Sequence, residues 1–351
     1  MRQLNYIKAR TLEWHEVPAP SLPSDKAALV RPLIVSTCDM DGVVISGLAP
    51  FKGPLPVGHE GVGEIIDVGD AVARFRPGDR AIIPWKISCG ECPKCLAGQT
   101  ASCRSVPREA AYSWGPTARE WGGFLADAIA VPWADHMLCP LPAGVDPIAA
   151  AGTSDNITDA WRAVGPPLRA RPGGRVLIAG GGGPGSIGLL CAGLASALSA
   201  GEIVYLDWDE DRRALAAEHF GARTIDTSGG LPEYDLAGGF DVLVDASGNP
   251  DALRLVLART APDAIVTCTA GAIYAFGDIP FPVFSMYRRN VTFHTGWVHT
   301  RPLMEEPLAL IAYGSFDPRL IETAVVDFDD APRALAEPFT KLVIARPETR
   351  A

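Results

Sequence analysis

The first half of the chain is a series of short apolar segments separated by turn residues. Apolar and polar positions alternate over a few residues and then stop at Pro, Gly or Asp, as in Arg76-Pro77-Gly78-Asp79. Interruptions of this kind are typical of all-β domains. We therefore predict a barrel-like β domain with strands at Ala27–Val35, Gly61–Val68, Arg80–Pro84 and Phe124–Val131.

The pattern changes after about Pro147, and from Arg171 onward continuous apolar runs alternate with helical segments. Such alternation predicts a parallel, doubly wound α/β sheet. The predicted strands are Arg175–Ala179, Ile203–Leu206, Val242–Asp245 and Ala264–Thr269, and the predicted helices are Ile187–Ala200 and Asp211–Phe220. From about Val298 the regular alternation of strand and helix ends, and the chain again has short segments of mixed pattern. We expect one domain at 1–156 and 297–351 and a second at 157–296.

Composition and charge narrow the class of protein. The 351 residues are enough for two domains with separate cores. A net charge of -10 repels phosphate backbones and anionic lipids, so nucleic acid and membranes are poor candidate partners. The first twenty residues carry charges throughout and lack the apolar segment of a signal peptide, which predicts a cytoplasmic protein. In that reducing compartment the eight cysteines are expected to be ligands or packing residues.

A glycine-rich turn follows the predicted strand Arg175–Ala179. Gly183, Gly185 and Gly188 have the G-x-G-x-x-G spacing of dinucleotide sites, in which glycines allow a tight turn and a close approach to the pyrophosphate. Ser186 and Ile187 would begin the next helix, whose N-terminus favours phosphate. Glycine runs also form plain loops, but the strand and helix on either side favour a nucleotide site.

An acidic residue supports this interpretation. Asp207 ends the strand Ile203–Leu206 and lies about 20 residues after Gly188, where a carboxylate accepts hydrogen bonds from the ribose hydroxyls of NAD and repels a 2′-phosphate. The alternative is a surface acid in a loop. Arg212 would either cover the edge of the adenine or be a solvated charge on a helix.

Four cysteines lie close together in a loop rich in Gly, Pro and Lys, at about residues 85–105. Cys89, Cys92, Cys95 and Cys103 form a C-x2-C-x2-C-x7-C pattern, which matches a closed tetrahedral zinc site. Disulfides are the alternative, and the reducing compartment disfavours them. With every position filled by thiolate, this zinc would be structural.

A second cysteine and histidine lie outside this loop. Cys38 follows the strand Ala27–Val35, and His59 lies in Gly58-His59-Glu60. Either residue alone is more often part of a core than a metal ligand. Their position at two strand ends beside an acid favours a metal site without establishing it.

With these motifs the chain resembles the zinc-containing medium-chain alcohol dehydrogenase family along nearly its whole length. The resemblance includes Cys38 through Asp41, Gly58–Gly61, Arg76–Arg80, the four-cysteine loop, the glycine turn and the segment 325–344. It implies a GroES-like catalytic barrel joined to a Rossmann domain, with two zinc ions and NAD as cofactors. It also implies a small-molecule substrate and assembly into a homodimer or homotetramer.

The resemblance also implies a set of site residues. The stretch Ser154 to Trp161 is similar to the family segment that supplies a third ligand, so Cys38, His59 and Asp155 would hold a catalytic zinc. Helix capping is the alternative role for Asp155. Glu60 resembles the neighbouring acid that can approach the metal during ligand exchange. Zinc would act as a Lewis acid and the nicotinamide would carry hydride.

The chain departs from the family pattern beside the metal. Met40 occupies the position of a proton-relaying Ser or Thr, and Val43 that of a histidine found in some relatives. A thioether cannot transfer a proton, so either another group such as Asp39 or a water takes this role, or the reaction differs. Trp85, four residues before Cys89, would line a bulky apolar pocket together with Met40, or simply belong to the core.

We therefore expect a zinc-dependent oxidoreductase that transfers hydride between NAD(H) and an alcohol or carbonyl. The alternatives are a zinc-containing reductase of activated C=C or C=N bonds and a non-catalytic sensor that binds zinc and nucleotide.

Overall fold

The computed structural model describes residues 1–113, 117–231, 236, 238–271, 278–322 and 324–349. The chain folds into two compact units. The first comprises Met1–Thr158, Val298–Tyr313 and Glu322–Ala351, and the second comprises Asp159–Trp297 and Gly314–Ile321. No helix within the described ranges is long and apolar enough to cross a membrane.

One segment lies in a different unit from the one expected. Residues 314–321 belong to the second unit, although the sequence pattern grouped them with the first. Phe316 is buried against Gly193, where an added methyl group would lie 2.7 Å from the phenyl ring. This close packing on a glycine draws the segment into the second unit.

The first unit is built on two sheets. One has the strand order β2-β1-β4, and the other the order β15-β16-β3-β5-β6-β8, with β7 also paired to β3. Numbered along the chain, these strands are β1 (Arg2–Lys8), β2 (Thr11–Glu16), β3 (Ala28–Ser36), β4 (Leu55–Pro56), β5 (Glu60–Val68), β6 (Arg80–Ile83), β7 (Ile129–Val131), β8 (Cys139–Pro140), β15 (Ala324–Asp327) and β16 (Leu342–Ala345).

The predicted strand Phe124–Val131 is largely wrong, because only its last three residues pair along β3. The amides of Phe124 and Leu125 donate instead to the carbonyls of Gly58 and Val57, and the carbonyl of Leu125 accepts from Leu4. The segment therefore crosses from one sheet to the other before it becomes a strand.

Short helices connect the strands of the first unit. They are α1 (Asp39–Ile45), α2 (Pro93–Leu96), α3 (Ala118–Trp121), α4 (Ala134–Met137), α5 (Pro147–Ala151), α11 (Thr300–Leu303), α12 (Glu305–Ala312) and α13 (Ala331–Ala336). The core of the unit includes separate buried clusters. One contains Phe124, and another contains Ile34, Val62 and Ile82 together with residues of α5 and α12. The helix α6 (Asn156–Ala170) leads out of the first unit.

The second unit contains a parallel sheet in the order β11-β10-β9-β12-β13-β14. Within the described residues, each pair of neighbouring strands runs parallel, as the alternation of strand and helix predicts. Its elements are β9 (Arg175–Ala179), α7 (Ser186–Ala197), β10 (Glu202–Asp207), α8 (Glu210–Phe220), β11 (Arg223–Asp226), β12 (Phe240–Asp245), α9 (Pro250–Ala258), β13 (Thr260–Cys268), α10 (Val283–Arg288) and β14 (Thr292–Thr295). The chain order reverses between β9 and β12, which is where ligands bind in sheets of this type.

Candidate metal centres and nucleotide site

The four cysteines of the loop converge on one point. The sulfur atoms of Cys89, Cys92, Cys95 and Cys103 all lie within 4.8 Å of one another, and none forms a disulfide. The sulfur atoms of Cys89 and Cys95 lie 4.0 Å apart, about twice the length of an S–S bond. Four sulfurs at such distances can surround a single tetrahedral zinc ion.

Backbone amides surround these sulfurs and favour the thiolate form. The amides of Glu91 and Cys92 donate to Cys89 Sγ at 3.4 and 3.3 Å, and the amide of Arg104 donates to Cys92 Sγ at 3.4 Å. The hydrogen bond from Arg104 is the main cause that lowers the pKa of Cys92 to about 6. Burial raises the pKa of Cys103, so this set of thiols needs a cation to ionise completely.

Cys38, His59 and Asp155 form a second cluster in the first unit, and their candidate ligand atoms lie within 4.8 Å of one another. Strand pairing explains how the first two meet. Ser36 of β3 lies opposite Glu60 of β5, so the residues just beyond these strand ends are brought together. His59 Nε2 lies 3.4 Å from Asp155 Oδ2.

The chemistry of these three donors fits zinc. Sulfur, imidazole nitrogen and carboxylate oxygen are the ligand types of catalytic zinc sites, which leave a further position open. Burial raises the pKa of Cys38 well above its ordinary value, and the charges of Asp41, Asp155 and Glu60 raise it further. To stay ionised in so buried a place, these groups need a compensating cation; without one they hold protons instead.

Asp41 is part of this cluster, although the sequence analysis gave it no role. Its carboxylate accepts the amide hydrogen of Cys38 at 2.8 Å, and its Oδ1 lies 3.7 Å from His59 Nδ1. A carboxylate behind a metal-binding histidine fixes the orientation of its ring. Burial raises the pKa of Asp41 to about 6. The available sequence signal was its place three residues after Cys38, which allows it to close a capping box.

Glu60 is held by two partners. Its Oε2 accepts from Lys341 Nζ at 2.8 Å, and its Oε1 accepts from the amide of Asn156 at 3.0 Å. Burial raises the pKa of Glu60 to about 7, and the ammonium group of Lys341 opposes this rise. The expected approach of Glu60 to a metal would therefore require breaking both contacts. Lys341 was missed because it lies 281 residues away in sequence.

Aromatic and aliphatic side chains lie next to the Cys38, His59 and Asp155 cluster. The ring of Trp85 is 5.8 Å from the ring of His59, centroid to centroid. Met40 is partly exposed, and its amide donates to Cys38 Sγ at 3.2 Å. The structure thus brings both predicted pocket residues close to the candidate ligands. It adds Lys86, whose Nζ lies 4.4 Å from the centroid of the Trp85 ring.

The glycine turn has the conformation that the nucleotide motif requires. Gly183 and Gly185 have φ angles of 55° and 84°, in the left-handed region that favours glycine. Gly185 precedes α7, which begins at the buried Ser186, followed by Ile187. A methyl group on Gly188 would lie 3.2 Å from the Cα of Gly180, so this glycine allows the helix to pack closely on the strand end.

Asp207 lies at the end of β10, but its carboxylate is already occupied. It accepts from the Tyr205 hydroxyl at 2.6 Å, from Arg212 Nε and Nη2 at 2.9 and 2.8 Å, and from the Asp209 amide at 3.0 Å. These contacts use the whole acceptor capacity of a carboxylate. Ribose hydroxyls can reach Asp207 only after some of them break.

Arg212 is not a solvated helix charge, and that alternative is wrong. It is 6% exposed, and its guanidinium pairs with Asp207 and lies 4.7 Å from the centroid of the Trp208 ring. A methyl group on Gly185 would lie 2.8 Å from its Nε. Arg212 thus covers the glycine turn and neutralises Asp207 at the same time.

Comparison with known proteins extends these observations. The family model of the alcohol dehydrogenase GroES-like domain matches residues 24–143. The chain is 31% identical to L-threonine 3-dehydrogenase of Streptomyces coelicolor over 76% of this chain and 75% of that protein. It is 29% identical to alcohol dehydrogenase of Geobacillus stearothermophilus over 91% and 90%, respectively. An alcohol dehydrogenase structure from Thermus sp. ATN1 superimposes with a TM-score of 0.88 and 27% identity, covering 99% of this chain and 100% of that one. The predicted GroES-like and Rossmann architecture is confirmed.

We expect the four-cysteine loop to need its metal for stability. Replacing Cys95 with Ser should remove about one equivalent of zinc per chain and lower the thermal midpoint, because the binding energy of a structural metal contributes to folding. Elemental analysis and calorimetry measure both effects. Cys139→Ser, at a buried cysteine outside both clusters, is the control and should keep its zinc. A Cys95→Ser protein with unchanged zinc and stability would refute the assignment.

Proposed function

Because the chain belongs to the zinc-containing medium-chain dehydrogenase family, we propose that it transfers hydride between NAD(H) and an alcohol or carbonyl substrate. The observation that carries the proposal is the convergence of Cys38, His59 and Asp155 at one buried point. Asp41 and Glu60 place two further carboxyl groups near Cys38, which supports a divalent cation there. A nicotinamide cofactor is expected from the family and from the glycine turn after β9.

In this proposal Cys38, His59 and Asp155 hold the catalytic zinc, and the four cysteines of the loop hold a structural one. When bound, the catalytic zinc supplies a Lewis acid that polarises the substrate oxygen, and the nicotinamide donates or accepts hydride. Asp41 would orient the ring of His59 when the metal is bound, since its Oδ1 lies 3.7 Å from Nδ1. Lys341 keeps Glu60 in place and balances its charge.

Trp85 and Met40 form an apolar wall beside these ligands and would contact the carbon skeleton of the substrate. Such a wall excludes water and strengthens electrostatic interactions at the reacting oxygen. It offers no hydroxyl for proton transfer at position 40. The missing hydroxyl favours a second candidate function, the reduction of activated C=C or C=N bonds. Assays with a panel of alcohols, enones and imines separate the two functions.

The preference for NAD rests on Asp207. Its carboxylate is fully buried at the end of β10, where the adenosine ribose binds in this kind of fold. We propose that Arg212 turns away from Asp207 when the cofactor binds, so that the ribose hydroxyls take over its place on the carboxylate. The cost of breaking this pair weakens cofactor binding, and the acid still disfavours a 2′-phosphate.

The chain is also proposed to associate with a second copy of itself through the outer edge of the parallel sheet. Within the described residues β14 is the outermost strand on this side, and its unpaired edge can accept another strand. The neighbouring helix α10 exposes Val283, Phe284 and Tyr287 by 68%, 73% and 83%. An open edge beside exposed apolar residues suits a two-fold symmetric contact, in which the same surface is used twice.

We predict two zinc ions per chain in the wild-type protein, and loss of one of them together with activity in Asp155→Ala. The reason is that removing one of three protein ligands weakens the site strongly. Elemental analysis and a dehydrogenase assay with secondary alcohols measure the outcome. Asp146→Ala is the control, since Asp146 caps α5 through the Ile148 amide and should affect stability without changing the zinc content. A protein that keeps both zinc ions without Asp155 would rule out its role as a ligand.

Cofactor choice should follow Asp207 and its partner. The wild-type protein should prefer NAD over NADP by about tenfold or more, equal to about 1.4 kcal/mol. Asp207→Ser should erode this preference, and Arg212→Met should increase NAD affinity because the carboxylate then needs no freeing. Fluorescence titration with NADH and NADPH measures both. Asp226→Ser, at the end of β11, serves as the control. A wild-type preference for NADP would contradict the proposal.

Self-association should depend on the face of α10. Light scattering should give the mass of two or four chains for the wild type and of one chain for Phe284→Asp combined with Tyr287→Asp, because buried charges disrupt an apolar contact. Tyr313→Asp is the control, since this aromatic residue is 84% exposed elsewhere on the chain. A monomeric wild type would disprove the proposed interface.

A further inference from the structure

Lys86 is a buried basic residue beside the proposed catalytic centre, and neither the sequence analysis nor the mechanism above uses it. The residue is 3% exposed, and its Nζ lies over the ring of Trp85. That ring in turn packs against His59. Trp85 therefore contacts both Lys86 and one of the candidate zinc ligands.

The backbone around Lys86 is fixed by pairing on both sides. The amide of Ile87 donates to Ala110, the amide of Tyr112 donates to Trp85, and Lys86 itself forms an isolated bridge with Ala111. The amide of Trp85 also donates to the carbonyl of Ser154 at 3.4 Å. This last contact ties the segment to the loop that carries Asp155, so the position of Lys86 relative to the centre is well defined.

We propose that Lys86 exchanges the substrate proton in this chain, in place of the hydroxyl relay that Met40 lacks. The inference rests on the proposed alcohol–carbonyl function. During oxidation the proton of the substrate hydroxyl passes to Lys86 Nζ, and the hydride on the adjacent carbon passes to the nicotinamide cofactor. The resulting ammonium group then releases its proton to water. Reduction of a carbonyl follows the same path in reverse.

The surroundings of Lys86 suit a group that gains and loses a proton near neutral pH. Burial lowers its pKa from 10.5 to about 7, while the charges of Glu109 and Asp155 act in the opposite direction. Neutral amine is thus available to accept a proton at pH 7 and above. Once protonated, it is stabilised by the face of the Trp85 ring.

Glu109 is the more exposed of the two acids whose charges act on Lys86. Its side chain is 38% exposed, unlike that of Asp155 at 13%, and its charge acts on Lys86. Its φ angle of 69° places a non-glycine residue in the left-handed region. Such backbone conformations cost energy and persist where the surrounding structure imposes them, often at functional sites.

Kinetics of three variants test the role of Lys86 in the zinc-loaded protein with NAD and a panel of secondary alcohols. Lys86→Ala should lower kcat for oxidation on the order of 100-fold, as expected for loss of a general base. Added methylamine or ethylamine should restore part of the rate. Lys86→Arg keeps the charge but cannot lose its proton, so it should be as slow as Lys86→Ala. Lys94→Ala, at an exposed lysine of the same loop bonded to Gln99, should match the wild type.

The pH dependence provides a further test. Wild-type kcat/KM for oxidation should rise with pH through about 7, because the amine accepts a proton only when neutral, and this rise should be absent from Lys86→Ala. NMR of protein labelled with 13C at lysine Cε gives a measurement without turnover. The resonance missing from Lys86→Ala should titrate near pH 7.

Three results would overturn the inference: full activity of Lys86→Ala, full activity of Lys86→Arg, or a Cε titration near the ordinary lysine value of about 10.4. Zinc content and thermal midpoint of each variant show whether it is folded. A wild type inactive toward every alcohol would overturn the proposed function and this inference together. An active wild type matched by Lys86→Ala would overturn the inference alone.

Discussion

Negative charge buried at the ends of β3 and β5 is the constraint on which the first unit depends. Cys38, Asp41, Glu60 and Asp155 lie near one another, and Glu60 is fully buried. Burying a carboxylate away from water costs several kcal/mol unless a cation or hydrogen bonds compensate. Lys341 compensates Glu60, and the amides of Cys38 and Asn156 donate to Asp41 and Glu60. The charge that remains around Cys38 and Asp155 is what a divalent metal would balance.

Local sequence patterns predict the parts of the two sites that lie within a short stretch of the chain. The cysteine loop and the glycine turn could be predicted because each motif lies within a few residues and has its own spacing. The role of Lys341 could not, since it depends on β16 pairing with β3 and places the lysine against a residue far away in sequence. The segment Phe124–Val131 differs from the predicted strand for a similar reason, because the amides of Phe124 and Leu125 donate to Gly58 and Val57 before the chain reaches its pairing with β3.

The nucleotide site illustrates a different limit. The spacing from the last glycine points to Asp207, but the helical pattern around Arg212 does not distinguish a solvated guanidinium from the buried one that the structure shows. Helical periodicity alone does not reveal that the guanidinium folds back over the glycine turn. Pairing of this kind changes the ligand affinity of an acid without changing its position, because the carboxylate must exchange one set of donors for another when a ligand binds. Cofactor affinity and cofactor choice are therefore separate properties of this site.

The central claim is that the buried cluster of Cys38, His59 and Asp155 holds a zinc ion distinct from that of the four cysteines. Anomalous X-ray diffraction at the zinc edge on crystals of the purified protein tests it most directly. We predict two peaks per chain, one surrounded by four sulfurs and the other by one sulfur, one nitrogen and one oxygen from the protein. A single peak, at the four cysteines only, from protein supplied with excess zinc would contradict the account.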